Sequence, residues 1–167
     1  GLAVFAAVVL PFIMVTARRA RQRPLVIARA VQERPGFASA RTLVKTSLVG
    51  DRVRWLALGD EGRILCGGDG LAEASFAPGT LAAAEVRAGT ALVAQARRSL
   101  DGVRAEDPTP AWKEIPDVTL RLEGNDGSSF AMGFKTFEHG APSLPEFMLQ
   151  EAVEWLNTIA AAQALSR

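Results

Sequence analysis

The sequence predicts an α+β fold: an N-terminal transmembrane helix, then an antiparallel sheet, then a C-terminal helix that caps it. Three observations carry this. Gly1 to Ala17 contains no charged residue, and four of the next six residues are Arg18, Arg19, Arg21 and Arg23. Two stretches, 51–67 and 118–134, alternate apolar and polar residues about turn-forming triplets, as half-buried hairpins do. Met148, Ala152, Trp155, Leu156 and Ile159 recur at spacings of three and four, the apolar stripe of an amphipathic helix.

A spanning helix needs about 20 mostly apolar residues to cross a hydrocarbon core of roughly 30 Å. GLAVFAAVVLPFIMVTA falls slightly short, and the chain opens on Gly rather than Met. The expectation is therefore a fragment, or a processed chain, with further apolar residues ahead of Gly1. Pro11 is better tolerated in a membrane helix than in a soluble one. Arginines directly after the run mark the cytoplasmic end by the positive-inside rule. The expected topology is a single pass through the inner (plasma) membrane, with residues 18–167 in the cytoplasm. A signal peptide carries its charge before the apolar run and ends in a small-residue cleavage site, and TARRARQ offers none. A buried core helix would need covering on all sides; a multi-pass protein cut before its last span is the remaining alternative. Arg18, Arg19, Arg21 and Arg23 are the expected membrane-surface contacts. Each basic residue near an anionic leaflet contributes roughly 1 kcal/mol, and four of them read as an orienting flank rather than a specific lipid site.

The expected organisation is a transmembrane helix over 1–17, a basic juxtamembrane linker with a short helix over 18–36, and a cytoplasmic α+β domain over 37–167. Without the anchor about 145 residues remain, enough for one domain with a real core. Net charge is +1, with the positive excess at the membrane junction, and no basic stripe is left for nucleic acid. One cysteine, Cys66, excludes an intrachain disulfide and a cysteine-based metal cluster. No repeat of solenoid or propeller period occurs. The abundance of Ala and Arg has the look of a GC-rich bacterial genome.

Along the soluble part, Pro24 is expected to break the anchor helix from the next segment. Leu25 to Glu33 reads as a short helix ended by Pro35-Gly36, and Phe37 to Leu48 as a strand. In the first hairpin, pairing about Glu61 sets Leu58 opposite Ile64 and Leu56 opposite Cys66, all on one face, with Gly62 left-handed in a three-residue loop. In the second, a two-residue turn would put Leu122 and Phe130 on opposite faces. A three-residue loop of 125–127 instead pairs Leu122 with Phe130, Leu120 with Met132 and Val118 with Phe134, with Gly127 at positive φ. Gly67-Gly68-Asp69-Gly70 reads as a loop. Leu81-Ala82-Ala83-Ala84 is helical by propensity, although its context allows a strand. Thr90 to Ala96 reads as a strand. Leu100 to Pro116, with three prolines, reads as an exposed connection with Trp112 tucked in. Ser143 as N-cap, Pro145 and Glu146 open the last helix, whose Met148–Trp155–Ile159 face is expected to close over the sheet.

Little here suggests catalysis. His139 is the only histidine, and a general base needs a partner within reach. Cys66 is expected inside a hairpin core, and a zinc site lacks ligands. The glycines of 67–70 lack the strand–helix context and the lysine of a phosphate loop. Asp60-Glu61-Gly62 and Asn125-Asp126-Gly127 lack the spaced acids of a calcium loop. Trp55, Trp112 and Trp155 sit one per region and form no stacking platform. No cofactor and no small-molecule substrate is implied.

Behind the hydrophobic anchor come Leu56-Ala57-Leu58-Gly59-Asp60-Glu61-Gly62-Arg63-Ile64-Leu65, Ser75-Phe76-Ala77-Pro78, a strand pair (Val118–Glu123 and Ser129–Phe134), and Glu154-Trp155 in the final helix. Over about residues 50 to 163 this resembles bacterial membrane-anchored proteins of unknown function whose soluble part is a pleckstrin-homology-like domain. The chain departs from that pattern by having Arg97 to Pro116 where a Gly-rich insertion is usual, which leaves the strand count between 70 and 116 open. The resemblance implies a bent antiparallel sheet or barrel capped by one C-terminal helix, and binding rather than catalysis; it carries over no functional residue. The expected function is a membrane-tethered module whose partners are the lipid bilayer and a protein. The alternative is a structural or assembly subunit of an envelope complex, for which Gly1, Ala3, Ala6 and Ala7 are small enough to allow close helix contact.

Overall fold

The computed structural model describes residues 22–46, 52–69, 71–98, 117–134, 137–138, 141–142 and 145–166. The apolar run 1–17, Arg18, Arg19 and Arg21, the 99–116 connection with Trp112, His139 and Ser143 lie outside them. No helix among the described residues is long and apolar enough to cross a membrane. The fold is α+β, with two antiparallel four-stranded sheets and a C-terminal helix.

Residues 22–32 are helical (α1), and the helix runs through Pro24 from residue 22 instead of being broken there. Pro35-Gly36 ends the segment as expected, with Gly36 at φ +81°. The first sheet is a meander: β1 (Arg41–Thr46), β2 (Val53–Leu58), β3 (Ile64–Gly68) and β4 (Leu71–Phe76). Leu56 faces Cys66 and Leu58 faces Ile64, the expected register. A 3-10 turn, Asp60–Gly62, joins β2 to β3, and both Glu61 (φ 57°) and Gly62 (φ 81°) are left-handed.

Three features of this sheet depart from expectation. The β2–β3 hairpin is covered on both faces rather than one. Leu56, Ile64 and Cys66 join the main core, while Trp55, Ala57 and Leu65 form a second cluster under Val31, Phe37 and Ala40. The helix α1 supplies that second cover. Gly67 and Gly68 are strand residues, not loop; the turn is made by Asp69, whose Oδ1 accepts the Val53 N–H at 3.0 Å. The strand β4 was not anticipated, because only Phe76 of its six residues is buried and the pattern carries almost no apolar signal.

The second sheet contains β5 (Leu81–Ala88), β6 (Ala91–Arg97), β7 (Val118–Gly124) and β8 (Ser129–Gly133), in the order β6-β5-β7-β8. The alanine-rich segment is thus a central strand, against its helical propensity. Ala84, Val86 and Ala88 are buried beneath the last helix, and burial between two partners outweighs a few tenths of a kcal/mol per residue of propensity. In the β7–β8 hairpin Leu122 faces Phe130 and Leu120 faces Met132; the Phe134 N–H donates to the Val118 carbonyl at 2.8 Å. Gly127, at φ 83°, closes the three-residue loop as expected. Phe137–Glu138 and Ala141–Pro142 form a minimal pair, β9 and β10.

The helix α2 (Pro145–Gln163) packs across β5, β6 and β7. Its Met148, Ala152, Trp155, Leu156 and Ile159 are buried and its Glu146, Gln150 and Glu154 exposed, as the stripe requires. Ala152 and Ala160 of the helix share the core with Ala84 and Ala96 of the sheet. Its end is a Schellman turn: Ala164 is left-handed (φ 54°) and the Leu165 N–H donates to the Ala160 carbonyl at 2.9 Å. The chain then lies along the edge of β6, where Arg97 and Ser166 exchange two backbone hydrogen bonds of 2.7 and 2.8 Å.

Candidate functional site

Of the four arginines expected at a membrane surface, Arg23 is described, and it is exposed on α1. The helix has two apolar sides. Ile27 and Val31 turn inward against the cluster of Phe37, Trp55, Ala57 and Leu65. Leu25 and Val26 turn outward and are 71 % and 65 % exposed, with exposed Gln22 and Arg29 on the same ridge at helical spacing. The C-terminal end of α1 is fixed to the domain: the Asp60 N–H donates to the Gly36 carbonyl at 2.8 Å, and buried Phe37 anchors the turn. Over residues 18–34 the sequence has six arginines and one acid, Glu33. Residues 35–167 carry thirteen basic and seventeen acidic residues. The molecule is therefore electrically lopsided, positive at α1 and negative over its body.

Cations elsewhere hold the sheets and helix together. Arg54 on β2 donates to the Ala131 carbonyl on β8 and to Glu73 on β4 (2.6 Å), with its guanidinium 4.7 Å above the Phe130 ring. It ties one sheet to the other. On β1, Arg41 stacks 4.7 Å over Trp155, and buried Lys45 donates to Glu151 at 2.6 Å, 5.4 Å over the Phe134 ring. Both side chains link the first sheet to α2.

A polar cluster on the outer face of the second sheet had no forecast. Glu85, nearly buried, accepts from Arg87 Nε at 3.0 Å, Gln95 Nε2 at 2.7 Å and Arg97 at 3.0 Å. Burial alone would raise its pKa. The hydrogen bonds from Arg87 and Gln95 and the charges of Arg87 and Arg97 prevail and hold the carboxyl below its ordinary 4.5. The folded state thus favours the ionised form, so the stability this cluster contributes is full above the ordinary value and is lost as pH falls from about 4.5 through the depressed one. Glu85→Gln is expected to cost about 1 kcal/mol at neutral pH. The difference from the parent should shrink in acid, as read by urea unfolding over a pH series. A deficit constant with pH would show that the carboxylate's charge plays no part.

What these groups can do chemically is limited. A carboxylate that accepts three hydrogen bonds, two of them from guanidinium groups, is a poor general base. Burial pushes the Cys66 thiol up, away from the reactive thiolate. Among the described residues no group of three or more acids, His or Cys could hold a metal ion. Trp55 and Trp155 are core residues. The sequence reading missed the outward Leu25–Val26 pair and the Glu85 cluster. The i, i+2 pairs Glu85/Arg87 and Gln95/Arg97, polar among small apolar neighbours, were the available sign of a solvent-side strand face. Comparison of the chain with protein-family models, characterised proteins and solved structures finds no match.

Proposed function

We propose that the protein is a membrane-tethered interaction module. Residues 1–17 span the inner membrane once, and the α+β domain is presented at the cytoplasmic face for protein or lipid binding. The observation that carries this is the abrupt change at Ala17–Arg18, from seventeen uncharged residues to four arginines in six. The charge asymmetry of the rest of the chain is consistent with it, since the basic end is the end next to the apolar run. Two antiparallel sheets with a C-terminal helix packed on the second of them are compatible with the finer reading of a pleckstrin-homology-like, bent sheet or barrel. Binding fits better than catalysis, because the buried thiol and the saturated carboxylate leave no activated group among the described residues.

The test is extraction and protease protection of the full chain in cells. The expected result is that alkaline carbonate leaves the chain in the membrane pellet and that a C-terminal tag is cleaved only after the inner membrane is opened. Release by carbonate would overturn the anchor, and cleavage of the tag from the periplasmic side would overturn the orientation. The second reading, an assembly subunit, is favoured by the small residues Gly1, Ala3, Ala6 and Ala7. Replacing them by leucine should then abolish crosslinks to a larger complex without loss from the membrane.

A further inference from the structure

We infer that the outward face of α1, built on Leu25 and Val26, rests on the anionic surface of the bilayer and fixes the domain's orientation there. This rests on the tethered reading above and specifies which surface of the domain meets the membrane.

Among the described residues Leu25 and Val26, 71 % and 65 % exposed, are adjacent on one helix, whereas the other exposed large hydrophobics, Leu71 on β4 and Phe147 on α2, stand singly on separate elements. The inward ridge of the same helix is satisfied by Phe37 and Trp55, so α1 needs no rearrangement to offer its outer one. Its position is limited by the chain itself. Leu25 lies eight residues after Ala17, and no conformation carries it more than about 28 Å from that end of the apolar run. The charge pattern selects the occupant. Arg23 and Arg29 flank the aliphatic pair, and six of the seven charged residues in 18–34 are arginines, whereas the body behind is net acidic. An anionic leaflet attracts the first and repels the second, so the field turns the α1 side toward the membrane. A helix with an apolar ridge edged by arginine is the form that lies in the headgroup region. An acidic protein partner would satisfy the arginines but leave Leu25 and Val26 unaccounted for.

The test uses the full chain reconstituted into vesicles, with Leu25→Cys, Val26→Cys or, in the exposed β7–β8 turn, Asn125→Cys, each labelled with bimane. Buried Cys66 should not react, which the unsubstituted chain checks. Vesicles are phosphatidylcholine with or without phosphatidylglycerol, and spin-labelled lipid is the quencher. The expected result is severalfold stronger quenching at 25 and 26 than at 125, increased by phosphatidylglycerol and weakened by salt. Equal quenching at all three positions, with the chain still floating with the vesicles, would overturn the inference and leave the anchor intact. A chain that does not float removes the tethered reading itself. Pyrene at position 25 giving excimer emission, in place of lipid quenching, would overturn the inference in favour of a second copy of the chain.

Discussion

Gln163→Met is expected to destabilise the protein by about 3–5 kcal/mol, despite its near-identical shape. Gln163 is 1 % exposed at the end of α2, where an amide would ordinarily be solvated. Its Nε2 donates to the Gly62 carbonyl at 2.6 Å and to the Ala77 carbonyl at 3.1 Å, while its Oε1 accepts the Leu81 N–H at 3.2 Å. One side chain thus serves the β2–β3 turn, the β4–β5 turn and the start of β5. Methionine fills the space but takes the amide partner from the Gly62 carbonyl and the Leu81 N–H, each loss costing about 1–3 kcal/mol, while the Ala77 carbonyl keeps the Thr80 N–H and hydroxyl. For a domain of this size the melting temperature should fall by about 10 °C or more. Thermal unfolding of the full chain in detergent, followed by circular dichroism, measures it. A fall of only a degree or two would mean that water takes over the three bonds.

Gly67→Ala is expected to cost about 3 kcal/mol or more, and to act locally on β4. A Cβ on Gly67 would come within 1.9 Å of the Leu71 carbonyl oxygen and 2.7 Å of Trp55 Cζ2. The pairing of β3 with β4 shifts register between Cys66 and Gly67, and this bulge brings the two backbones so close. A carbonyl within a sheet cannot move aside as a flexible side chain would. The edge strand should therefore separate from β3 over Leu71–Ala74, with the Trp55 ring displaced. Amide exchange of 71–74 and Trp fluorescence report the two effects separately. Unchanged protection of those amides would show that the bulge can relax at little cost.

How much of this was legible depended on how local the determining physics is. Both hairpin registers were readable because side-chain parity and loop length fix them within a dozen residues, and Gly62 and Gly127 fill the left-handed positions that those loops need. The last helix was readable because its stripe is long and its outer face charged. β5 was ambiguous because its alanines satisfy a helix or a closely covered strand equally well, and only α2, sixty residues later, decides between them. β4 was invisible because an edge strand need bury almost nothing. The two-sided burial of β2–β3 comes from Val31 and Phe37, yet the unbroken Trp55–Leu58 run hinted at it, since strands covered on both faces lose their alternation. As for the site, the charge of Arg23 was plain in the sequence. The outward aim of Leu25 and Val26 was not, because which ridge of α1 meets the sheet depends on tertiary contacts. The Glu85 cluster required a register between β5 and β6 that no local rule supplies.

The two backbone bonds between Ser166 and Arg97 have a further meaning for how copies of this chain coexist at high density. A β6 edge left bare would be a template for another molecule's strand. The tail occupies part of it, so the chain serves as its own guard against cross-strand aggregation. A fusion that pulls Ser166 away would therefore reduce solubility before it reduces stability. Tags read more safely when placed behind a linker long enough to leave the last bridge in place.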